Sequence, residues 1–208
     1  MNQIFSRIVN IFRLVLFRYK WRKVNKHNFT IPSNLFPLEK VKVGSRTYGH
    51  LLIKTFGNTD ESLIIGSYCS IAGNVKFLLG GEHKYDCITT YPFNKFVFGE
   101  TTRTSTKGSI IIEDDVWIGE NSLILSGVKI GQGAIIAAGS VVAKNVPAYA
   151  IYIGGEVKKY RFTQDIIAKL TQIDIGDLLD KISFENRELL SEKVNNETID
   201  RILDMYYL

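Results

Sequence analysis

Few residues in this 208-residue chain carry reactive chemistry. Its three histidines are His27, His50 and His83. Imidazole can accept a proton near neutral pH, which is the property a general base needs. His83 stands apart, because it follows Gly80, Gly81 and Glu82 and opens a stretch holding Tyr85, Tyr91, Phe93, Phe96 and Phe98. A packed surface histidine is the ordinary alternative, but its place at the mouth of a long aromatic segment favours a catalytic role. A zinc centre would need three imidazoles converging on one ion, and the spacing of these three offers no such set, so no metal is expected. Cys69 and Cys87 are far apart, with no C-x-x-C pair, which points to neither a zinc site nor a disulfide framework and fits a reducing cytoplasm.

A six-residue repeat supplies the scaffold that must position His83. Ile112, Ile118, Ile124, Ile130, Ile136 and Val142 recur in steps of six, and four residues after each stands Val116, Ser122, Val128, Ala134, Ser140 or Val146. Neither a helical period nor simple alternation produces this register. It predicts a parallel β-helix of triangular section, three six-residue sides to a coil, with the aliphatic residue inward and the small residue inward near the corner. Gly119, Gly131 and Gly139 are expected to supply tight turns of unusual φ. Residues 112–129 and 130–147 form two coils, and Ile65, Ile71 and Phe77 with Cys69, Val75 and Gly81 mark another at 65–82. His83 to Ser109 breaks the register and must leave the prism as a loop, and its aromatics argue against disorder. Upstream, Val41 to Thr59 reads as irregular first coils.

Three segments follow: a basic amphipathic arm at 1–38, a β-helix domain at 39–162 with its loop at 83–109, and a helical tail at 163–208. In the tail, Thr163 can cap a helix running to about Ile173, and Leu178 to Leu190 and Thr198 to Tyr207 have helical spacing, so the tail is expected to close the prism's open end. The composition, 45% apolar and 23% charged, is that of a globular protein. Residues 1–38 hold seven cations (Arg7, Arg13, Arg18, Lys20, Arg22, Lys23, Lys26) and no acid, leaving the rest at −2 of the total +5. No basic stripe with interleaved aromatics recurs elsewhere, so nucleic acid is not an expected partner. Within residues 1–28, Ile4, Ile8, Ile11, Phe12, Val15 and Tyr19 fall on one side of a helix, but the longest apolar run, Leu14 to Phe17, is too short for a membrane span or a signal-peptide core. Such a helix fits either the surface of an anionic membrane, at the inner face of the cell membrane, or packing on its own or a neighbouring subunit.

The strings Ile65-Gly-Ser-Tyr-Cys-Ser-Ile71, Gly80-Gly-Glu-His83-Lys-Tyr-Asp86, Thr90-Tyr-Pro-Phe93, Asp115-Val-Trp-Ile-Gly119 and Gly139-Ser-Val-Val-Ala-Lys-Asn-Val-Pro147 resemble the hexapeptide-repeat acetyltransferases. Over residues 40–162 the likeness is to the xenobiotic and polysaccharide O-acetyltransferase branch. It implies a left-handed β-helix, a homotrimer, acetyl-CoA as donor in a groove between adjacent prisms, and His83 as the general base. It also implies cofactor contacts at Trp117, Gly119, Ala138, Ala143, Lys144, Lys158 and Arg161, with the last three basic residues near the CoA phosphates. Trp117 is equally suited to pack outside the coil, and any single lysine to a solvated face. Tyr48, Asp86 and Tyr91 match family positions that meet the acceptor.

Departures from the family pattern are Ala143 in place of Thr, Cys87 in place of Trp, and Gly154-Gly-Glu-Val-Lys158 in place of Gly-Asn-Pro-Ala-Lys. The resemblance implies acetyl transfer from acetyl-CoA to a hydroxyl. The basic amphipathic arm favours as acceptor a sugar hydroxyl of a cell-surface polysaccharide, of capsular or lipopolysaccharide type, or its precursor, because it would hold the chain where such precursors are made. Antibiotic O-acetylation and a catalytically silent scaffold are the rival readings.

Overall fold

The computed structural model describes residues 2–101 and 104–207. The side chains of residues 2–4, Ile4 of the arm among them, and Thr102 and Arg103 of the expected loop lie outside the described residues. Helix α1 (Asn2–Val24) leads to strand β1 (Phe29–Pro32), a 3-10 turn (Leu38–Lys40), and strands β2 (Val41–Val43), β3 (Tyr48–Lys54), β4 (Leu63–Ile65), β5 (Ser70–Ile71) and β6 (Lys76–Leu78). A long loop carrying the short helix α2 (Phe93–Phe96) follows. The chain then forms β7 (Ile110–Ile112), β8 (Trp117–Ile118), β9 (Leu123–Leu125), β10 (Lys129–Ile130), β11 (Ile135–Ile136), β12 (Val141–Val142), β13 (Ala150–Ile153) and β14 (Glu156–Tyr160). Helices α3 (Gln164–Leu170), α4 (Ile175–Lys181) and α5 (Asn196–Tyr207) complete it.

The strands stack in parallel as three faces of a prism. Face I holds β1, the start of β3, β5, β8, β11 and β13; face II holds the end of β3, β6, β9 and β12; face III holds β2, β4, β7 and β10. Ile112 pairs with Ile130, Ile118 with Ile136 and Ile124 with Val142, so equivalent inward residues lie over one another from coil to coil. The same isoleucines, and the small residues Val116, Ser122, Val128, Ala134, Ser140 and Val146, are buried. The fold is the left-handed β-helix that the six-residue period demands, since only inward positions recur at that spacing.

Several expectations need correction. The first coil is irregular in spacing, as expected, yet it stacks on the next: Val43 pairs with Ile65, Gly49 with Ile71 and Ile53 with Phe77, and Val41, Val43, Leu51 and Ile53 fill its core. Its spacing is longer than eighteen residues, which hid the register. Strand β1, within the segment read as an arm, joins face I beside β3, so the free arm ends near the close of α1. The last turn of α1 plugs the first coil: Trp21 is 1% exposed, lies edge-on to Phe36 at 5.5 Å and donates from its indole nitrogen to Thr30 Oγ1 at 3.1 Å.

The helical tail does not close the opposite end. The antiparallel hairpin of β13 and β14 does that, with Tyr152 and Val157 packed into the main core and Gly154 (φ 72°) making the turn that the absent Asn-Pro pair would have fixed. The tail runs along the edge between faces III and I and touches it on successive coils. Asp180 accepts from Tyr68 Oη, Gly176 abuts Asp114, and Gln132 Nε2 donates to the carbonyls of Leu170 and Ile173. Its buried side chains form a second core with Tyr149. The expected Leu178–Leu190 helix stops at Lys181, and Thr163 stands at the start of α3 without a capping hydrogen bond. Gly139 has the expected positive φ of 70°, whereas Gly119 and Gly131 do not. Those two are required by crowding: a Cβ on Gly119 would lie 2.4 Å from the nitrogen of Ala138, and one on Gly131 2.5 Å from that of Ala148.

Candidate active site

His83 leaves the prism at the edge between faces II and III, five residues after the end of β6. The point of departure is clamped. Glu82 and Ser105 pair as an antiparallel bridge, Ser105 Oγ donates to the carbonyl of Glu82 at 3.1 Å, and Thr106 Oγ1 donates to that of Leu79 at 2.6 Å. The Glu82 carboxylate accepts from buried Ser126 Oγ at 2.9 Å and lies 3.9 Å from Lys107 Nζ. Gly81 (φ 96°) passes so close to the Phe56 ring that a Cβ would meet it at 2.4 Å. A residue directly beyond such a clamp is held by the rigid coil although its own side chain faces solvent.

The imidazole is oriented by one contact: Nδ1 lies 2.6 Å from the carbonyl oxygen of Thr90. A carbonyl can only accept, so Nδ1 carries the hydrogen and Nε2 keeps the lone pair. This is the arrangement a general base requires, with one nitrogen held and the other free to take a proton. The loop beyond packs on itself through Tyr91 with Phe93 and Phe96, and Phe93 with Phe98. Tyr85, Asp86, Ile88, Phe96 and Phe98 nevertheless remain exposed, so the single chain leaves this aromatic surface uncovered.

The other expected residues divide by edge and face. Ala143 and Lys144 lie on the same edge as His83, after β12, and Lys144 makes no ion pair among the described residues. Tyr48, Ser70 and Trp117 are successive outward positions on face I, which lies across the triangle from that edge. Trp117 is 54% exposed there. Two strand spacings separate Tyr48 from Trp117, roughly 10 Å. Gly119 and Ala138 sit in contact at the edge between faces I and II. On one chain His83, Asp86 and Tyr91 thus belong to the loop leaving the II/III edge, with Ala143 and Lys144 two coils further along that edge, whereas Tyr48, Trp117, Gly119 and Ala138 lie on face I and its border with face II.

Two expected phosphate contacts are otherwise engaged. Arg161 Nη1 bonds Asp115 Oδ2 at 3.1 Å and the carbonyl of Gly133 at 2.7 Å, and the guanidinium stacks over Tyr149 and Phe162. It is the clamp between the tail and the III/I edge. Burial raises the Asp115 carboxyl above its ordinary value, and the Arg161 cation opposes that shift. Lys158 pairs with Glu156, the acid introduced where the family pattern is lost. Sequence reasoning missed the Thr90 carbonyl and the Glu82–Ser126 contact; a backbone acceptor has no side-chain signature, and that pair is 44 residues apart.

Cys69 is enclosed within the prism, and burial pushes its thiol up to about 12, which removes it as a nucleophile. Among the described residues no three His, Cys, Asp or Glu side chains gather as a metal site.

Residues 109–144 match the family model for the bacterial transferase hexapeptide (six repeats). A probable macrolide acetyltransferase of Lysinibacillus sphaericus is 43% identical over 148 residues, 67% of this chain and 82% of that protein. A chloramphenicol acetyltransferase of Klebsiella aerogenes is 38% identical over 125 residues, and this chain spans only 59% of its length. Among solved structures, a maltose O-acetyltransferase from Clostridium difficile 630 superposes with a TM-score of 0.51 at 20% identity, over 70% of this chain and 77% of that one, which bears on the fold alone. With its coils, its clamped histidine and a relative matched over most of its length, the chain belongs to the hexapeptide-repeat acetyltransferases and is an acyltransferase.

Proposed function

We propose that this chain transfers an acetyl group from acetyl-CoA to a hydroxyl of a sugar, in a cell-surface polysaccharide or its precursor. The observation that carries the reading is the His83 imidazole, held at Nδ1 by Thr90 and free at Nε2. Acetyl-CoA supplies an acyl carbon activated as a thioester. His83 Nε2 takes the proton of the acceptor hydroxyl as its oxygen forms the new C–O bond to that carbon. The C–S bond breaks, and the proton held at Nε2 passes to the departing sulfur. No acyl-enzyme is required, consistent with the enclosed Cys69.

The catalytic unit in this reading is a homotrimer. His83 and face I lie on opposite sides of one triangle, so the two sets of expected residues meet only where one prism's II/III edge approaches a neighbour's face I. Leu123, Leu125, Ile135 and Val141, outward and partly exposed, and the uncovered aromatic loop supply apolar surface for that contact. Lys144 is the expected phosphate contact left free for the donor.

Antibiotic O-acetylation is the second reading, favoured by the macrolide and chloramphenicol acetyltransferases among the relatives. Release of CoA thiol against a panel of glycans, a macrolide and chloramphenicol separates the two, with the acetylated product identified by mass. Turnover confined to the antibiotics rejects the sugar acceptor, and thiol release with none of the hydroxyl compounds rejects O-acetylation.

A further inference from the structure

The α1 helix has two apolar sides, and its own subunit uses only one. Leu14, Phe17 and Trp21 face the prism, where Trp21 and Phe17 both pack edge-on against Phe36 at 5.5 and 5.0 Å. Phe5, Ile8, Phe12, Val15 and Tyr19 recur every three or four residues along the opposite side and are all exposed. Ile11 and Leu16 widen that stripe. Arg13 and Lys20, two turns apart, border it on one side, and Arg7, Arg18 and Arg22 on the other.

The cations themselves divide in two groups. Arg18 donates from Nε to the carbonyl of Pro32 at 2.9 Å, and Arg22 binds the carbonyls of Asn25, Asn28 and Thr30, so both tie the helix to its own subunit. Arg7, Arg13, Lys20, Lys23 and Lys26 make no ion pair among the described residues. The segment from 1 to 38 contains no acid that could serve as their partner.

We infer that α1 is a docking helix for an anionic lipid surface. It lies in the plane of the headgroups, with the Phe5–Tyr19 stripe in the acyl boundary and the unengaged cations that border it, Arg7, Arg13 and Lys20, on the phosphates. No helix of the described chain is long and apolar enough to cross a membrane, so the helix rests on the surface. Charge decides between this occupant and a second copy of the helix. A bundle of α1 helices would bring together four uncompensated cations from each copy, Arg7, Arg13, Lys20 and Lys23, with no carboxylate among them, whereas a headgroup layer neutralises every one. Because the last turn of α1 plugs the first coil, and coils stack roughly 4.8 Å apart, the root of the His83 loop lies roughly 10 Å along the prism from the docked end. An acceptor carried on a membrane lipid is within reach at that distance. The docking itself stands whether the acceptor is a glycan or a drug.

The test is flotation of the full-length protein with vesicles of neutral phosphatidylcholine, alone or with about one third phosphatidylglycerol, at low and high salt. Binding is expected to the anionic vesicles only, and to be released by salt. Each cation removed should weaken it about fivefold, so Arg13→Glu with Lys20→Glu should weaken it at least about 25-fold. Ile8→Asp with Phe12→Asp should abolish it. All four residues lie away from His83, and thiol release with a soluble acceptor, if the proposed chemistry holds, should be unchanged in both variants. Equal binding to neutral vesicles, or none to anionic ones at low salt, overturns the inference. So does rapid disulfide linkage between copies through Phe12→Cys, in a Cys87→Ser background, that anionic vesicles do not suppress.

Discussion

Replacing His83 with asparagine separates the two jobs of its ring. The side-chain nitrogen of Asn stands close to where Nδ1 stands, so it can still donate to the Thr90 carbonyl, but nothing replaces Nε2. The structural cost is therefore small. His83 is exposed and its one structural hydrogen bond contributes about 0.5–1.5 kcal/mol even if wholly lost, a shift of about 1–6 °C in Tm for a chain of this size. The chemical cost is large: loss of general-base assistance lowers kcat by about 10²–10⁴, or about 2.7–5.4 kcal/mol of barrier. The assay is steady-state thiol release with an acceptor that the panel shows to be turned over, alongside thermal melting and limited proteolysis of the loop. The expected result is a collapse of kcat at nearly constant KM, melting temperature and cleavage pattern. Near-wild-type kcat in His83→Asn would refute the mechanism. A large fall in Tm with unchanged kcat per folded molecule would show that His83 serves the loop rather than the chemistry.

Two further outcomes follow from the packing. Burial, and then the neighbouring Asp174, raise the Asp114 carboxyl above its ordinary value, so the native chain holds this proton more tightly than the unfolded one; the resulting stability is full below the ordinary carboxylate range and lost as pH rises through the raised value. Asp174→Asn keeps the cap that Asp174 gives Asp177 N–H and turns its side against Asp114 into a donor, so Tm at pH 7 should rise by about 1–3 °C, a modest gain because Asp114 is partly solvated, and the gain should vanish near pH 3; an equal gain at both pH values would contradict the charge argument. Trp21→Ala should destabilise the plugged coil by about 3–5 kcal/mol in denaturant titration and expose α1 to protease, and an unchanged midpoint would mean that the helix is not anchored there.

What the sequence determined by itself was whatever repeats locally. The step of six from Ile112 to Val142 dictated inward positions, three faces and stacked coils, because each coil meets only its neighbours and needs the same residue types at the same places. The break of that register at His83 announced a loop, and the strings around it announced the chemistry. The first coil reads only as irregular because its inward positions depart from the step of six, Gly49 and Ile53 lying four residues apart and Ile53 and Ile65 twelve, although Val41, Val43, Leu51 and Ile53 are residues of the same inward type. Tertiary structure alone decided the matters that depend on partners distant in the chain. Arg161 reads as a phosphate ligand until Asp115, 46 residues away, is seen to hold it, and the tail reads as a lid until Gln132 and Asp114 place it along an edge. The carbonyl of Thr90 fixes which imidazole nitrogen is free, and every residue type carries that same carbonyl. The separation of Tyr48 and Trp117 from His83 follows from the closure of the coil into a triangle, because residues that follow one another along the chain are turned by each corner onto different faces.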